Sequence, residues 1–526
     1  MKNKLSGLLA ATVLLTGMIG CTKKLDRFPT NDITSEVVYS TATGYRQAFA
    51  KVYAAFALTG NQGPAGNGDI QGIDEGFSDF LRLYFKAQEL STDEAVIAWG
   101  DAGIQDFHNM NWSSANPFLK GLYYRSYYQI TLCNDFIRQS DPAKVSSRGI
   151  SGADADNIKK YRTEARFLRA YQYSIIMDLF GSGPFVTDAD VLGASLPTQK
   201  SRKDIFTYVE TELKAIDADL MDPKTNEYGR ADKAAEWALL ARIYLNAQVY
   251  TGTARYTDAI TYSQKVINAG YALISDYRQL MLADNSQNTS EFILTINYDG
   301  LHTQSYGGTT FLTHASVGGS MSAIASGVGG GWGGLRTTKS FVNLFPDVNG
   351  FLDRRAQFYQ NGQNQDINDQ TAFTDGLAVT KFRNLTRSNT PGQSLDFSDI
   401  DFPIFRLSEM YLIYDEAVLR GGTGGDAATA LIYFNKIRSR AYGNPSGNVA
   451  SITTDMILDE RGRELYWEGF RRTDLVRYGK FTTGAYLWPW KGGVKPGRSV
   501  EDFRNIYPIP ADDVTANSKL TQNPGY

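Results

Sequence analysis

Chemistry in this chain would have to come from carboxylates, aromatics and arginines, because the usual catalytic residue sets are missing. The three histidines, His108, His302 and His314, are scattered and no H-E-x-x-H pair occurs, which argues against a zinc hydrolase. The glycine run 327–334, GVGGGWGG, has no Lys-Ser/Thr after it and so is no phosphate loop, and no G-x-S-x-G elbow is present. A glycosidase needs two carboxylates about 5–10 Å apart. Asp93-Glu94 and Asp74-Glu75, near loop aromatics, are the best such candidates, although adjacent acids are more often caps or solvated charges. The densest polar stretch, 459–478 (DERGRELYWEGFRRTDLVRY), alternates arginine with carboxylate and interleaves apolar bulk at helical spacing. Its charges nearly cancel, so it reads as a structural latch of bidentate pairs rather than an anion site, with a break at Gly469.

Sugar binding has more behind it. Carbohydrates present apolar C–H faces, so tryptophan and tyrosine platforms rimmed by Asn, Asp, Gln and Arg are the expected tools. Three loop regions offer them: Arg82 to Trp99 with Asp101; Asn297 to Phe311, NYDGLHTQSYGGTTF; and Trp332 among glycines, an indole with nothing local to pack on. Trp237 and Trp467, set in apolar sequence, read as core instead.

The elements that must position these loops are mostly helical. Periodicity predicts helices over 35–58, 118–139, 155–180, 202–221, 231–250, 255–269, 404–420 and 426–441. Ala234, Ala238 and Ala241 would let neighbouring helices approach closely, as in degenerate tetratricopeptide repeats split by an insertion. That insertion, about 275–400, is rich in Gly, Asn, Thr and Ser, with strand-like pieces at 292–297 and 377–382. Long loops in a helical protein are usually functional or disordered, and abundant aromatics favour function.

The chain has 526 residues, 42% hydrophobic, and a formal charge of −3, which argues against a nucleic-acid partner. Lys2 and Lys4 precede the apolar run 5–19, which is signal-peptide length and too short to span a bilayer. Only Cys133 follows Cys21, and it reads as a buried small hydrophobe. A cation site at Asp284-Asn285 is conceivable on composition alone.

Four ordered segments carry a resemblance to the SusD/RagB family: CTKKLDRFPTNDIT at 21–34, YRTEARFLRAYQYSIIMDLFGSGP at 161–184, DERGRELYWEGFRRTDLVRY at 459–478, and YPIPADDVTANSKLTQNPGY at 507–526. The resemblance implies a mainly α fold: a SusD-like α-superhelix on degenerate tetratricopeptide repeats with a long irregular insertion. It implies a lipoprotein signal peptide at 1–20 and one glycan-binding domain at 21–526, with its scaffold at about 35–274 and 401–480. Cys21 would be acylated and held in outer-membrane lipid, although Lys23 and Lys24 follow it where acids are common. The expected partner is a SusC-like TonB-dependent transporter; no cofactor, catalytic residue or metal is implied. ELSTDEAVIAW, NYDGLHTQSYGGTTF, GVGGGWGG and FTTGAYLWPWKGG are similar to the family's starch-binding founder. By that likeness Trp99, Tyr306 and Trp332 would form an arc along an α-1,4-glucan, with Arg82 donating hydrogen bonds. Ala102 stands where the founder has a binding asparagine, with Asp101 beside it. A surface glycosidase and a purely structural partner remain the rival readings.

Overall fold

The computed structural model describes residues 35–191, 193 and 195–526. The candidate lipidation residue, Cys21, lies outside the described residues.

The scaffold is helical, as the periodicity predicts. Its first half comprises α1 (Ala42–Ala57), α2 (Phe80–Glu89), the two-residue strand β1 (Val96–Ile97), the short α3 (Gln105–Asn109), α4 (Pro117–Gln139), α5 (Gly152–Leu179), α6 (Arg202–Ile216), α7 (Lys233–Leu245) and α8 (Tyr256–Ile267). Helix starts follow side-chain chemistry. Asn116 caps α4 ahead of Pro117, and Ser201 with Asp204 forms a capping box on α6. In α7 the alanines 234, 238 and 241 are fully buried, so α7 packs closely on α8. Trp467 is fully buried as expected; Trp237 is only half-buried, its Nε1 donating to Asp217 at 2.7 Å.

The insertion is bounded by a strand pair. β2 (Phe292–Ile296) runs antiparallel to a strand at Phe402–Arg406, with Phe292 opposite Arg406. The helix expected from 404 therefore starts later, at Leu407. Phe402, Ile404 and Phe405 are buried, and pairing with β2 holds the run extended. Within the insertion, a helix the sequence reads as loop, α9 (Gly308–Ala315), starts from Gly307 at its N-cap. β3 (Leu335–Arg336) pairs antiparallel with β1. After the insertion come β4 (Phe402–Arg406), α10 (Leu407–Leu419), α11 (Ala427–Tyr442), α12 (Thr454–Leu465) and α13 (Arg471–Arg477). α10 packs on both α8 and α11, so the repeat-like helices close up across the insertion.

The latch at 459–478 is structural. Glu460 accepts from Arg355 (2.7 Å), Arg438 (2.8 Å) and Arg463 (2.6 Å). Glu464 pairs with Arg355, Arg406 and Arg440, and Glu468 with Arg406 and Lys381. These carboxylates are 3% exposed or less, so each is compensated where an unpaired charge would be prohibitive. Between α12 and α13 the chain turns through left-handed residues at Trp467 (φ 63°) and Gly469 (φ 86°). The Trp467 amide donates to Glu94, and the Gly469 and Phe470 amides donate to Glu89. The C-terminal segment is tied in as well: Tyr507 donates to the Ala87 carbonyl (2.6 Å), and Asn523 to the carbonyls of Phe180 and Tyr507.

Candidate functional site

Trp99, Tyr306 and Trp332, separated by up to 233 residues, come together on one face. The Trp99 and Trp332 ring centres are 6.4 Å apart at 44°, and those of Tyr306 and Trp332 are 6.3 Å apart at 63°. All three are partly open; Tyr306 is 38% exposed.

Each ring is held by backbone. Trp99 leaves strand β1, and the β1–β3 pairing is continued by an Ala98 amide bond to the Gly334 carbonyl (2.9 Å). Gln105 on α3 donates to the carbonyls of Ile97 and Trp99 (2.9 and 2.7 Å), and the Trp99 indole donates to the Trp332 carbonyl (3.1 Å). The glycine-rich loop lies against the C-terminal end of α9: the amides of Trp332, Gly333 and Gly334 donate to His314, Val317 and Ala315. Gly334 must lack a side chain, since a Cβ there would sit 2.6 Å from the Trp99 ring. The glycines thus serve close approach. The Trp332 indole is not isolated: His314 stacks under it at 4.8 Å and 25°.

His314 is a member of the site that the sequence reading passed over as a scattered histidine. Its Nδ1 is hydrogen-bonded to the Gly330 carbonyl (2.7 Å), so the imidazole pins the loop as well as backing the ring. Burial holds its pKa below the ordinary histidine value, which keeps it neutral at pH 7. The sequence signal was the TTFLTH pattern, which puts His314 in the last turn of a short helix, but only the fold brings Gly330 over it. Phe397, 5.6 Å from Tyr306 at 39°, extends the aromatic surface and was likewise unread.

Arg82 sits beneath the arc, only 3% exposed. Its Nη1 donates to the carbonyls of Gly76 (2.9 Å) and Tyr306 (2.7 Å), fixing the Tyr306 loop to the turn before α2. The guanidinium lies 5.4 Å from the Trp99 ring and 5.9 Å from Trp332. Burial lowers its pKa to about 10 against the opposing pull of Asp79, Asp101 and Asp74, so it stays charged. Nη1 is thus committed to protein, while the buried Nε and Nη2 make no protein hydrogen bond among the described residues. Asp101 is half-exposed, its carbonyl accepting from Ile104 and its carboxylate contributing field at Arg82.

The acidic pairs are structural. Asp93 is fully buried, bidentate to Arg471 at 2.8 Å and hydrogen-bonded to Tyr486. Glu94 is 2% exposed and accepts from the Trp467 amide. Asp74 caps a turn, and Glu75 accepts from Thr59. Asp284 accepts from the Arg387 amide, and Asn285 bridges the carbonyls of Leu280 and Asp401. No acidic or histidine cluster suited to a metal occurs among the described residues. Cys133 is fully buried, as read.

Along nearly its whole length the chain is similar to the starch-binding protein SusD of Bacteroides thetaiotaomicron: 36% identity, covering 98% of this chain and 97% of that protein. This chain belongs to the SusD family. The family profile matches residues 352–526, and SusD-like protein P2 of Formosa agariphila is 23% identical over 98% of both chains. The SusD fold is seen directly in solved structures. Surface glycan-binding protein A from Bacteroides uniformis superposes with a TM-score of 0.70 at 21% identity, over 92% of this chain and 99% of that one. The protein of the same name from B. thetaiotaomicron, in complex with laminarihexaose, gives 0.69 at 22%, over 91% and 99%. The mainly helical SusD-like architecture expected from the sequence is therefore the observed one.

Proposed function

We propose that this SusD-family chain is a non-catalytic glycan-binding lipoprotein that captures starch or malto-oligosaccharides and passes them to a TonB-dependent outer-membrane transporter. The observation that carries the reading is the run of three neighbouring, partly open rings, Trp99–Trp332–Tyr306, braced from below by Arg82 and His314. Successive rings tilted by 44° and 63° offer a curved rather than flat track, which suits a helical α-1,4-glucan better than an extended chain. The likeness to starch-binding SusD supports the same ligand. Acylated Cys21 would hold the protein to outer-membrane lipid, facing the exterior. No helix among the described residues is long and apolar enough to cross a membrane.

Titration calorimetry with maltoheptaose and with a linear β-1,3-glucan of equal length tests the ligand. Heat with maltoheptaose only, with at least a tenfold loss of affinity in Trp332→Ala, is the expected result. Binding of the β-glucan alone, or of neither, would discard the starch assignment.

A further inference from the structure

A second built surface lies close to the arc. The turn after α3, the loop at Gln370 and the segment 490–504 enclose an open cleft of about 660 Å³. Trp490, from the FTTGAYLWPWKGG stretch, forms part of its wall. The residue is left-handed (φ 69°), and its Nε1 is tied to the Ile367 carbonyl at 2.9 Å. Gln370 donates to the Asn109 carboxamide (3.1 Å), closing one side. Arg498 is exposed. Its Nε donates to the Gly492 carbonyl (2.9 Å), while Nη1 and Nη2, the Asn111 carboxamide and the Ser499 hydroxyl make no protein hydrogen bond among the described residues.

Two links place the cleft beside the rings. Buried Arg336 on β3 donates through Nη1 to Gly334 (3.2 Å), in the Trp332 loop, and through Nη2 to Gln370 (2.8 Å), in the cleft wall. One guanidinium thus joins the two surfaces. On α3, Gln105 pins the Trp99 carbonyl, and Asn109 lies four residues further along the same face, about 6 Å away by helix geometry.

We infer that this cleft is a second carbohydrate subsite, which takes the part of a longer oligosaccharide that overhangs the aromatic arc. An indole wall with unpartnered amide, hydroxyl and guanidinium groups suits a polyhydroxylated, uncharged ligand. The carboxylate there, Glu501, is already paired with Arg504, which makes the cleft a poor cation site. The inference rests on the glucan reading of the arc.

The test compares maltohexaose with a long monodisperse linear maltodextrin in wild type and in the double variant Arg498→Ala/Asn111→Ala. Both changed side chains are exposed, and circular dichroism checks the fold. Wild type should prefer the long chain, and the variant should lose about fivefold to tenfold of that preference. A wild type without a length preference, or a variant that keeps it, overturns the subsite while leaving the arc intact. Failure of wild type to bind either glucan would instead remove the starch reading, and the subsite with it.

Discussion

Glu464→Gln puts a number on the latch that supports the binding face. The Glu464 carboxylate is fully buried and meets three guanidiniums, from Arg440, Arg406 and Arg355. Burial alone would raise its pKa, but the three cations more than offset this and bring it from 4.5 to about 2. The unfolded chain protonates this carboxyl near 4.5, the folded chain only near 2. The stabilisation is therefore complete above 4.5 and is lost as pH falls from there towards 2. At pH 7 that difference corresponds to about 3 kcal/mol, in the range found for breaking a buried ion pair. At pH 3 about 1 kcal/mol of it remains. Urea denaturation followed by tryptophan fluorescence, in wild type and Glu464→Gln, should show a gap of about 3 kcal/mol at pH 7 that narrows to about 1 at pH 3. An equal gap at both pH values, or none at pH 7, would refute the assignment of the charge to this cluster. Because Arg406 ends β4, and β4 pairs with the strand leading to the Tyr306 loop, a weakened latch should also loosen that loop.

His314→Ala removes the ring beneath Trp332 and the bond to Gly330; glucan affinity by calorimetry should fall about threefold to tenfold, and His314→Phe should recover the stacking part. Asp415 is fully buried with neither carboxyl oxygen hydrogen-bonded to protein, and burial followed by the Glu460 charge raises its pKa well above 3.8. Asp415→Leu should stabilise the fold by about 1–3 kcal/mol in denaturant melts at pH 7. That gain should shrink as pH falls and vanish below 3.8, where the carboxyl is protonated in folded and unfolded chains alike.

Helices were legible because one periodicity says where an apolar face lies. The regular spacing in 118–139 located that element to within a few residues. The latch was legible as a latch because alternating signs in an amphipathic segment leave no net charge for a ligand. Its partners were not: Arg355, Arg406 and Arg440 come from separate elements, and only packing brings them to Glu464. Residues 404–406 of the strand were read as the start of a helix because a short apolar run carries no period of its own, and the strand's pairing partner lies more than 100 residues away.

The sequence by itself determined the family and the helical scaffold, and its likeness to the family singled out the three rings, since these rest on local spacing and on motifs written contiguously. The tertiary structure decided what those rings rest on. It placed His314 under Trp332 and Arg82 under the Tyr306 loop. It also turned Asp93 and Glu94 from acidic candidates into buried anchors for Arg471 and the Trp467 amide. Such roles depend on burial and on partners distant in the chain, so only the packed molecule assigns them.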